Sequence, residues 1–241
     1  MKTLNNTLGA WITIDHLRIT QHLLEYSSVD YIVFDNEHSY FTLSNLENHL
    51  NACRFSGVLA LVRVAKRDFV FASKVLELGF DGLIFSTVDT IDYCEKIQEI
   101  AFYPPKGKRG IGLNSANKFG KVFNEYLQGY NSKTIIIAQI ETKESINQIE
   151  KFINFGFSGF MIGPYDLSSS LGLPGDFTND SYRSLLHKFE SFVSKTEIDM
   201  MYHIVHPNDK EIRMLKERGY NSLCIGTDFE FLRMGISKYF D

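Results

Sequence analysis

Thr134-Ile-Ile-Ile-Ala-Gln139-Ile-Glu141-Thr142, followed further along by Phe160-Met-Ile-Gly163-Pro164-Tyr165-Asp166-Leu167, reads as two buried parallel strands. Each is a continuous apolar run rather than an alternating one, the pattern of a strand covered on both faces. Each run breaks off at a carboxylate. Two acidic side chains at the ends of neighbouring strands are placed to share one hard cation, and without one they would repel each other and lose hydration. The layout recurs: Val29-Asp-Tyr-Ile-Val-Phe34 runs into Asp35-Asn-Glu-His38, and Val58-Leu-Ala-Leu-Val62 runs into Arg63. Strands that deliver polar residues at their C-terminal ends are how α/β barrels hold their chemistry.

Working outward, strand-like runs are predicted near Ala10–Ile14, Asp30–Phe34, Val58–Val64, Asp81–Phe85, Thr134–Ile140, Ser158–Ile162, Met200–Val205 and Ser222–Gly226. Helical stretches alternate with them at His16–Tyr26, Leu43–Phe55, Phe69–Leu78, Ile91–Ala101, Lys143–Phe155, Asp180–Lys195 and Asn208–Arg218, with a closing helix at Phe229–Tyr239. Gly79, Gly156 and Gly219 stand just past helical stretches, where a left-handed cap is wanted. Strict alternation implies right-handed βαβ units and a parallel sheet. No glycine-rich dinucleotide fingerprint follows the first strand, so the expectation is an α/β fold of the (β/α)8 TIM-barrel type, one domain spanning 1–241. The longest interruption, Phe102 to Lys133, is expected to be a functional loop on the face that carries the polar residues.

Composition narrows the function classes. The chain has 241 residues, 44% hydrophobic and 22% charged, with a net charge of −4. That balance argues against nucleic acid or an anionic membrane as partner, and the basic run Lys106-Gly-Lys108-Arg109 reads as a solvated loop. No apolar run is long enough to span a bilayer, and Met1 to Thr7 lacks the apolar stretch of a secretory signal. Cys53, Cys94 and Cys224 have no metal or redox spacing, and Cys224 sits in an apolar run, as a buried thiol would. A cytoplasmic enzyme is expected.

Gln139 and Glu141 are two apart on one strand and so share a face. Glu141 with Asp166 makes a two-carboxylate site that leaves positions open for water and substrate, as Mg2+-type sites do. His38 stands out among seven histidines because Asp35, three residues earlier, can hold its imidazole in one tautomer, giving an acid/base device near neutral pH. Arg63 is a permanent cation suited to a substrate carboxylate or a developing enolate; its competing role is an ion pair with Glu37 or Glu77. No lysine stands at a strand end, which disfavours Schiff-base chemistry.

The motifs Gly9-Ala-Trp11, Phe34-Asp-Asn-Glu-His38, Leu61-Val-Arg63, Tyr103-Pro-Pro-Lys-Gly-Lys-Arg-Gly-Ile-Gly112, Gln139-Ile-Glu-Thr142 and Gly163-Pro-Tyr-Asp-Leu167 together resemble the HpcH/HpaI family of metal-dependent class II pyruvate aldolases. The similarity runs in order from about Gly9 to Asp228. It implies a phosphoenolpyruvate/pyruvate-type barrel that exchanges its C-terminal helix between subunits, as a homo-oligomer (hexamer or trimer). It implies Mg2+, Mn2+ or Co2+ held by Glu141 and Asp166, and cleavage of a 4-hydroxy-2-oxo acid to pyruvate and an aldehyde through a metal-bound pyruvate enolate. His38, with Asp35, would move the proton, Arg63 would steady the enolate, and Gln139, Trp11, Gly163, Pro164 and Tyr165 would line the substrate pocket.

The chain departs from the family pattern at Glu77, where Asp is usual, at Ser86-Thr87 in place of Pro-Met, at Tyr165 in place of Ala, and at His203, where a small residue is usual. These changes bear on the acceptor pocket more than on the metal and proton groups. Two other readings remain: a lyase or hydrolase of the same superfamily acting on a related 2-oxo acid or acyl-CoA thioester, and a barrel without turnover.

Overall fold

Eight parallel strands close on themselves in chain order in the computed structural model, which describes residues 4–240. They are β1 (Thr7–Ile12), β2 (Tyr31–Asn36), β3 (Leu59–Val64), β4 (Gly82–Phe85), β5 (Ile135–Ile140), β6 (Gly159–Ile162), β7 (Asp199–Ile204) and β8 (Ser222–Thr227). Every strand pairs in parallel with the next, and β1 pairs with β8. The α/β barrel class expected from the alternation is the fold observed.

The two-residue period of a strand sorts the side chains into two cores. Trp11, Val33, Leu61, Ile84, Ile137 and Met161 point inward and fill the barrel. Their neighbours Ile12, Phe34, Val62, Phe85, Ala138 and Ile162 point outward and pack under the helices. The inward register also carries Asp35, Arg63 and Gln139 to the C-terminal rim, one pleat above Val33, Leu61 and Ile137.

Helices α1 (Leu17–Tyr26), α2 (Leu43–Ser56), α3 (Phe69–Leu78), α4 (Ile91–Ala101), α5 (Phe123–Lys133), α6 (Lys143–Phe152), α7 (Pro164–Ser170), α8 (Asp180–Val193), α9 (Asp209–Glu217) and α10 (Asp228–Phe240) form the outer layer. Their starts follow local chemistry: Thr42, Thr90 and Asn208 each accept a backbone N–H from the first turn. Gly79, Gly156 and Gly219 adopt the left-handed conformation that the caps require.

Four expectations are corrected. The first strand begins at Thr7 and ends at Ile12, because the Thr13 and Ile14 N–H groups turn away to the Asp228 carboxylate at 2.9 and 2.7 Å. Two helices lie where sequence periodicity was weak: α5 inside the long interruption, and the seven-residue α7, which opens on Pro164. The long interruption does not leave from the polar face. It follows α4, which runs back antiparallel to the strands, so it starts at the N-terminal end of the barrel. Tyr103 there exchanges two 2.9 Å bonds with Asn131 at the end of α5, just ahead of β5. Finally, Arg109 is not solvated. Its guanidinium is buried 4.8 and 4.6 Å from the rings of Tyr103 and Tyr130. This cation–π contact pins the loop to α5.

The three cysteines are buried and unbridged. Burial pushes the thiols of Cys53 and Cys94 up to about 12, which leaves them inert.

A tight crossing gives a test of the barrel. A Cβ on Gly82 of β4 would fall 2.0 Å from the Ile135 carbonyl oxygen, a backbone atom that cannot swing aside. Gly82→Ala should therefore lose about 1–3 kcal/mol or more in urea unfolding. Gly110→Ala, which meets nothing within 4 Å, should stay within about 0.5 kcal/mol.

Candidate active site

At the C-terminal mouth lies a cavity of about 370 Å3, lined among others by Trp11, Asp35, His38, Arg63, Gln139 and Asp166. Gly163, Pro164 and Tyr165 form part of its wall as well. With Glu141 just behind Gly163 and Gln139 in this wall, the residues singled out in the sequence converge, but two of them do so in roles that differ from those expected.

Asp35 and Arg63 face each other across the β2–β3 ladder. Arg63 donates from Nε at 2.9 Å and from Nη2 at 2.6 Å to the two oxygens of Asp35, a bidentate pair. Its Nη1 lies 2.9 Å from Glu37 Oε2. Both partners are buried, at 2% and 8% exposure. Burial pushes the Asp35 carboxyl up, but the bonds and charge of Arg63 more than offset it and hold the group below its usual range. Arg63 is likewise disfavoured by burial and then raised by Asp35 and the acidic groups around it. Both directions describe a pair that stays charged.

Asp35 was expected to orient the His38 imidazole. Instead its Oδ1 accepts the backbone N–H of Glu37 at 3.0 Å and of His38 at 3.4 Å, so it shapes the turn rather than the ring. The His38 side chain is 68% exposed at the mouth, with Nε2 3.9 Å from Glu37 Oε2. Bidentate recognition by Arg63 takes the Asp35 oxygens first, which is the physical reason for the difference. Arg63, for its part, carries the Glu37 ion pair that was the competing reading, and it still lines the cavity.

Glu141 lies just beyond β5 and is 3% exposed. Asp166 is not at the end of β6, as the strand pattern suggested, but in the first turn of α7, where it is exposed. The two meet electrostatically. Burial pushes the Glu141 carboxyl up to about 7, and the charges of Asp166 and Glu37 add to the rise. One oxygen accepts a short bond from the Thr87 hydroxyl, while Oε2 is buried without a partner. Gln139 Oε1 is also buried and unpartnered. A Cβ on Gly163 would fall 2.6 Å from Glu141 Oε2 and 3.0 Å from Gln139 Nε2, so only glycine lets the chain pass this carboxylate.

A frustrated carboxylate oxygen beside a second carboxylate is the donor set a hard divalent cation fits. Among the described residues no group of three or more His, Cys, Asp or Glu is gathered for a metal. Glu141 and Asp166 would thus hold such an ion as a two-carboxylate site, the remaining positions falling to water and substrate.

Two contributors were not legible as partners. Thr87 adopts φ 47°, a conformation costly for a β-branched residue, and it spends that strain on placing its hydroxyl against Glu141. His203 stacks on Trp11, with ring centroids 4.3 Å apart and planes 10° from parallel. The sequence marked Thr87 and His203 as departures, but only the closed barrel brings them to Glu141 and Trp11.

The raised Glu141 carboxyl makes stability pH-dependent. The folded chain holds this proton up to about pH 7, whereas an ordinary glutamate gives it up near 4.5. Below the lower value there is no penalty; as pH climbs through the upper one the stabilisation is lost. Metal-free protein should lose about 3 kcal/mol from this group between those limits, and Glu141→Gln should flatten that part of the profile in urea melts at pH 5 and 8. An unchanged slope in the variant would contradict the assignment.

Comparison with known proteins adds the lineage. A family model described as HpcH/HpaI aldolase/citrate lyase matches residues 8–233. The 5-keto-4-deoxy-D-glucarate aldolase of Escherichia coli O6:H1 is 26% identical over 237 residues, covering 97% of this chain and 91% of that enzyme. The crystal structure of an HpcH/HpaI aldolase from Desulfitobacterium hafniense DCB-2 matches with a TM-score of 0.88 at 22% identity, covering 98% of this chain and 91% of the other. Citrate synthase SbnG matches with a TM-score of 0.85 at 22% identity, with the same coverage of 98% and 91%. At these identities the two structures speak for the fold. The family model, running through every strand of the barrel, speaks for descent: the chain belongs to the HpcH/HpaI aldolase/citrate lyase family.

Proposed function

We propose that the chain is a divalent-metal-dependent carbon–carbon lyase that reversibly cleaves a 4-hydroxy-2-oxo acid to pyruvate and an aldehyde. The observation that carries this reading is an unpartnered buried oxygen on Glu141, beside the Gly163 and Gln139 that line the cavity, with the fully charged Arg63 lining the same cavity. A site for a 2-oxo acid needs an oxygen-ligated cation and a fixed positive charge, and both needs are met within this set. Family membership and the named Escherichia coli relative point the same way.

Glu141 and Asp166 would hold Mg2+, Mn2+ or Co2+, which when bound supplies Lewis-acid polarisation of the 2-oxo group. The remaining work falls to the chain's own residues. His38, at the mouth, takes the proton of the 4-hydroxyl as the C3–C4 bond breaks and the aldehyde carbonyl forms. The bonding electron pair passes into the pyruvate enolate, whose negative charge faces Arg63. Return of a proton to C3 completes pyruvate. Asp35 and Glu37 keep Arg63 charged and immobile, so little reorganisation accompanies the charge shift. Trp11, Gln139, Gly163, Pro164 and Tyr165 shape the pocket.

No helix of the described residues is long and apolar enough to cross a membrane. A cytoplasmic site of action and small-molecule substrates, without nucleic acid or membrane, complete the reading. The homo-oligomer, a hexamer or trimer, rests on α10: Phe229, Leu232, Met234, Ile236, Tyr239 and Phe240 are all exposed on it. An apolar surface of this kind on a terminal helix is suited to subunit contact.

Pyruvate release from a panel of 4-hydroxy-2-oxo acids, with 5-keto-4-deoxy-D-glucarate among them, tests the reaction. EDTA should abolish release, and Mg2+, Mn2+ or Co2+ should restore it; full activity in metal-free protein would end the proposal. His38→Ala should lower kcat about 10²–10⁴-fold while leaving affinity for oxalate, an enolate mimic, nearly unchanged. Arg63→Ala should weaken oxalate binding and turnover together, and should also destabilise the fold by about 3–5 kcal/mol because it strands Asp35. Light scattering at micromolar concentration should find an oligomer; a monomer would count against the role given to α10.

A further inference from the structure

His203, the inward-facing residue near the end of β7, is held from two sides. Its ring lies against Trp11, as described, and its Nε2 is 3.0 Å from the Gly226 carbonyl oxygen. That carbonyl is presented by an irregularity in β8. The β1–β8 register steps from Ala10↔Ile225 to Trp11↔Thr227, so Gly226 is the extra residue of a bulge, at φ 62°. Only glycine suits the position, since a Cβ would also meet the Phe231 ring at 2.7 Å.

An acceptor facing Nε2 requires the proton to sit there, which leaves the Nδ1 lone pair as an acceptor. Nδ1 has no partner among the described residues and is not one of the buried unpartnered atoms, so it is open to what enters the cavity. Burial pushes the imidazole down to about 4, with Arg63 lowering it further against a raising effect from Asp35. The ring is therefore neutral at physiological pH and cannot attract an anion by charge. Other polar groups on this wall are engaged: the Thr13 hydroxyl donates to Asp228 at 2.6 Å, and the Thr227 hydroxyl accepts the Glu230 N–H at 3.1 Å.

We propose that His203 is a specificity-determining residue, its Nδ1 accepting a hydrogen bond from a hydroxyl on the aldehyde half of the substrate, so that hydroxylated aldehydes are preferred over apolar ones. The proposal rests on the aldolase reading and deepens it. Trp11 places the two halves side by side, with Arg63 Cζ 4.9 Å from the same indole that His203 stacks on. The pyruvate half belongs to Arg63, Glu141 and Asp166, and the aldehyde half to His203.

The test is aldol addition of pyruvate to glycolaldehyde and to propanal, which match in heavy atoms but exchange a hydroxyl for a methyl. Wild-type protein with Mg2+ or Mn2+ should favour glycolaldehyde roughly 10-fold in kcat/KM, the value of one net hydrogen bond. His203→Phe keeps a ring against Trp11 and removes the acceptor, so the ratio should fall toward one, chiefly through the aldehyde KM. His203→Asn, whose amide can satisfy Gly226 and still offer an oxygen, should recover part of the ratio, and it serves if the Phe variant does not fold. A ratio near one in wild-type protein, or a wild-type ratio retained in a folded variant that lacks the acceptor, His203→Phe or His203→Leu, overturns the proposal. Deuterium exchange into the pyruvate methyl, measured in wild-type protein without aldehyde, separates the two levels. Exchange without hydroxyl preference sinks the His203 role alone; absence of exchange sinks the aldolase reading beneath it.

Discussion

The pair between Asp35 and Arg63 is the contact on which the mouth of the barrel depends. Two charges out of water cost several kcal/mol each, and they persist only because the bidentate geometry and further hydrogen bonds satisfy them. Asp35 uses its second role, as acceptor for the Glu37 and His38 N–H groups, to fold the β2 end into a turn. That turn brings Glu37 back onto Arg63 and sets His38 at the rim. The guanidinium also lies against Trp11, and Trp11 in turn supports His203. One ion pair thereby orders a path of contacts from β2 round to β7.

The opposite side of the mouth is arranged the other way. There the charges are left in conflict: Glu141 is buried, lacks a partner on one oxygen, and feels Asp166 and Glu37 as like charges. Thr87 supplies a single hydroxyl from a strained backbone, which is too little to settle a buried carboxylate. The satisfied pair and the frustrated carboxylate are complementary. The first gives a rigid cationic wall, and the second leaves a buried negative charge that, on the proposed reading, a cation would neutralise.

Much of this was legible in the chain because barrels write their layers with a two-residue period. Continuous apolar runs mark the strands, and the polar residues that close β2, β3 and β5 mark the rim, so Asp35, Arg63, Gln139 and Glu141 stand out in the chain itself. What sequence could not resolve was competition between neighbours. Asp35 had two cationic suitors, His38 within its own turn and Arg63 across the ladder; local spacing favours the first, and guanidinium geometry decides for the second. The end of the barrel from which the long connection leaves is hidden in the sequence for a related reason. A segment that follows a returning helix begins at the opposite end from one that follows a strand, and length alone does not say which. Asp166 and α7 were blurred because a seven-residue helix carries too little periodicity to stand out, with Pro164 as its main mark.

The inner core has a bearing on kinetics. Below the polar rim, Val33, Leu61, Ile84, Ile137, Met161 and Met201 fill the barrel completely, so the reaction chamber is a shaft with one opening rather than a channel. The cavity above this floor exchanges its contents with solvent through the C-terminal mouth, where Tyr165 is exposed. On the proposed reaction, the 2-oxo acid and both products of its cleavage pass the same opening, so a fresh substrate cannot enter behind a product that has not yet left.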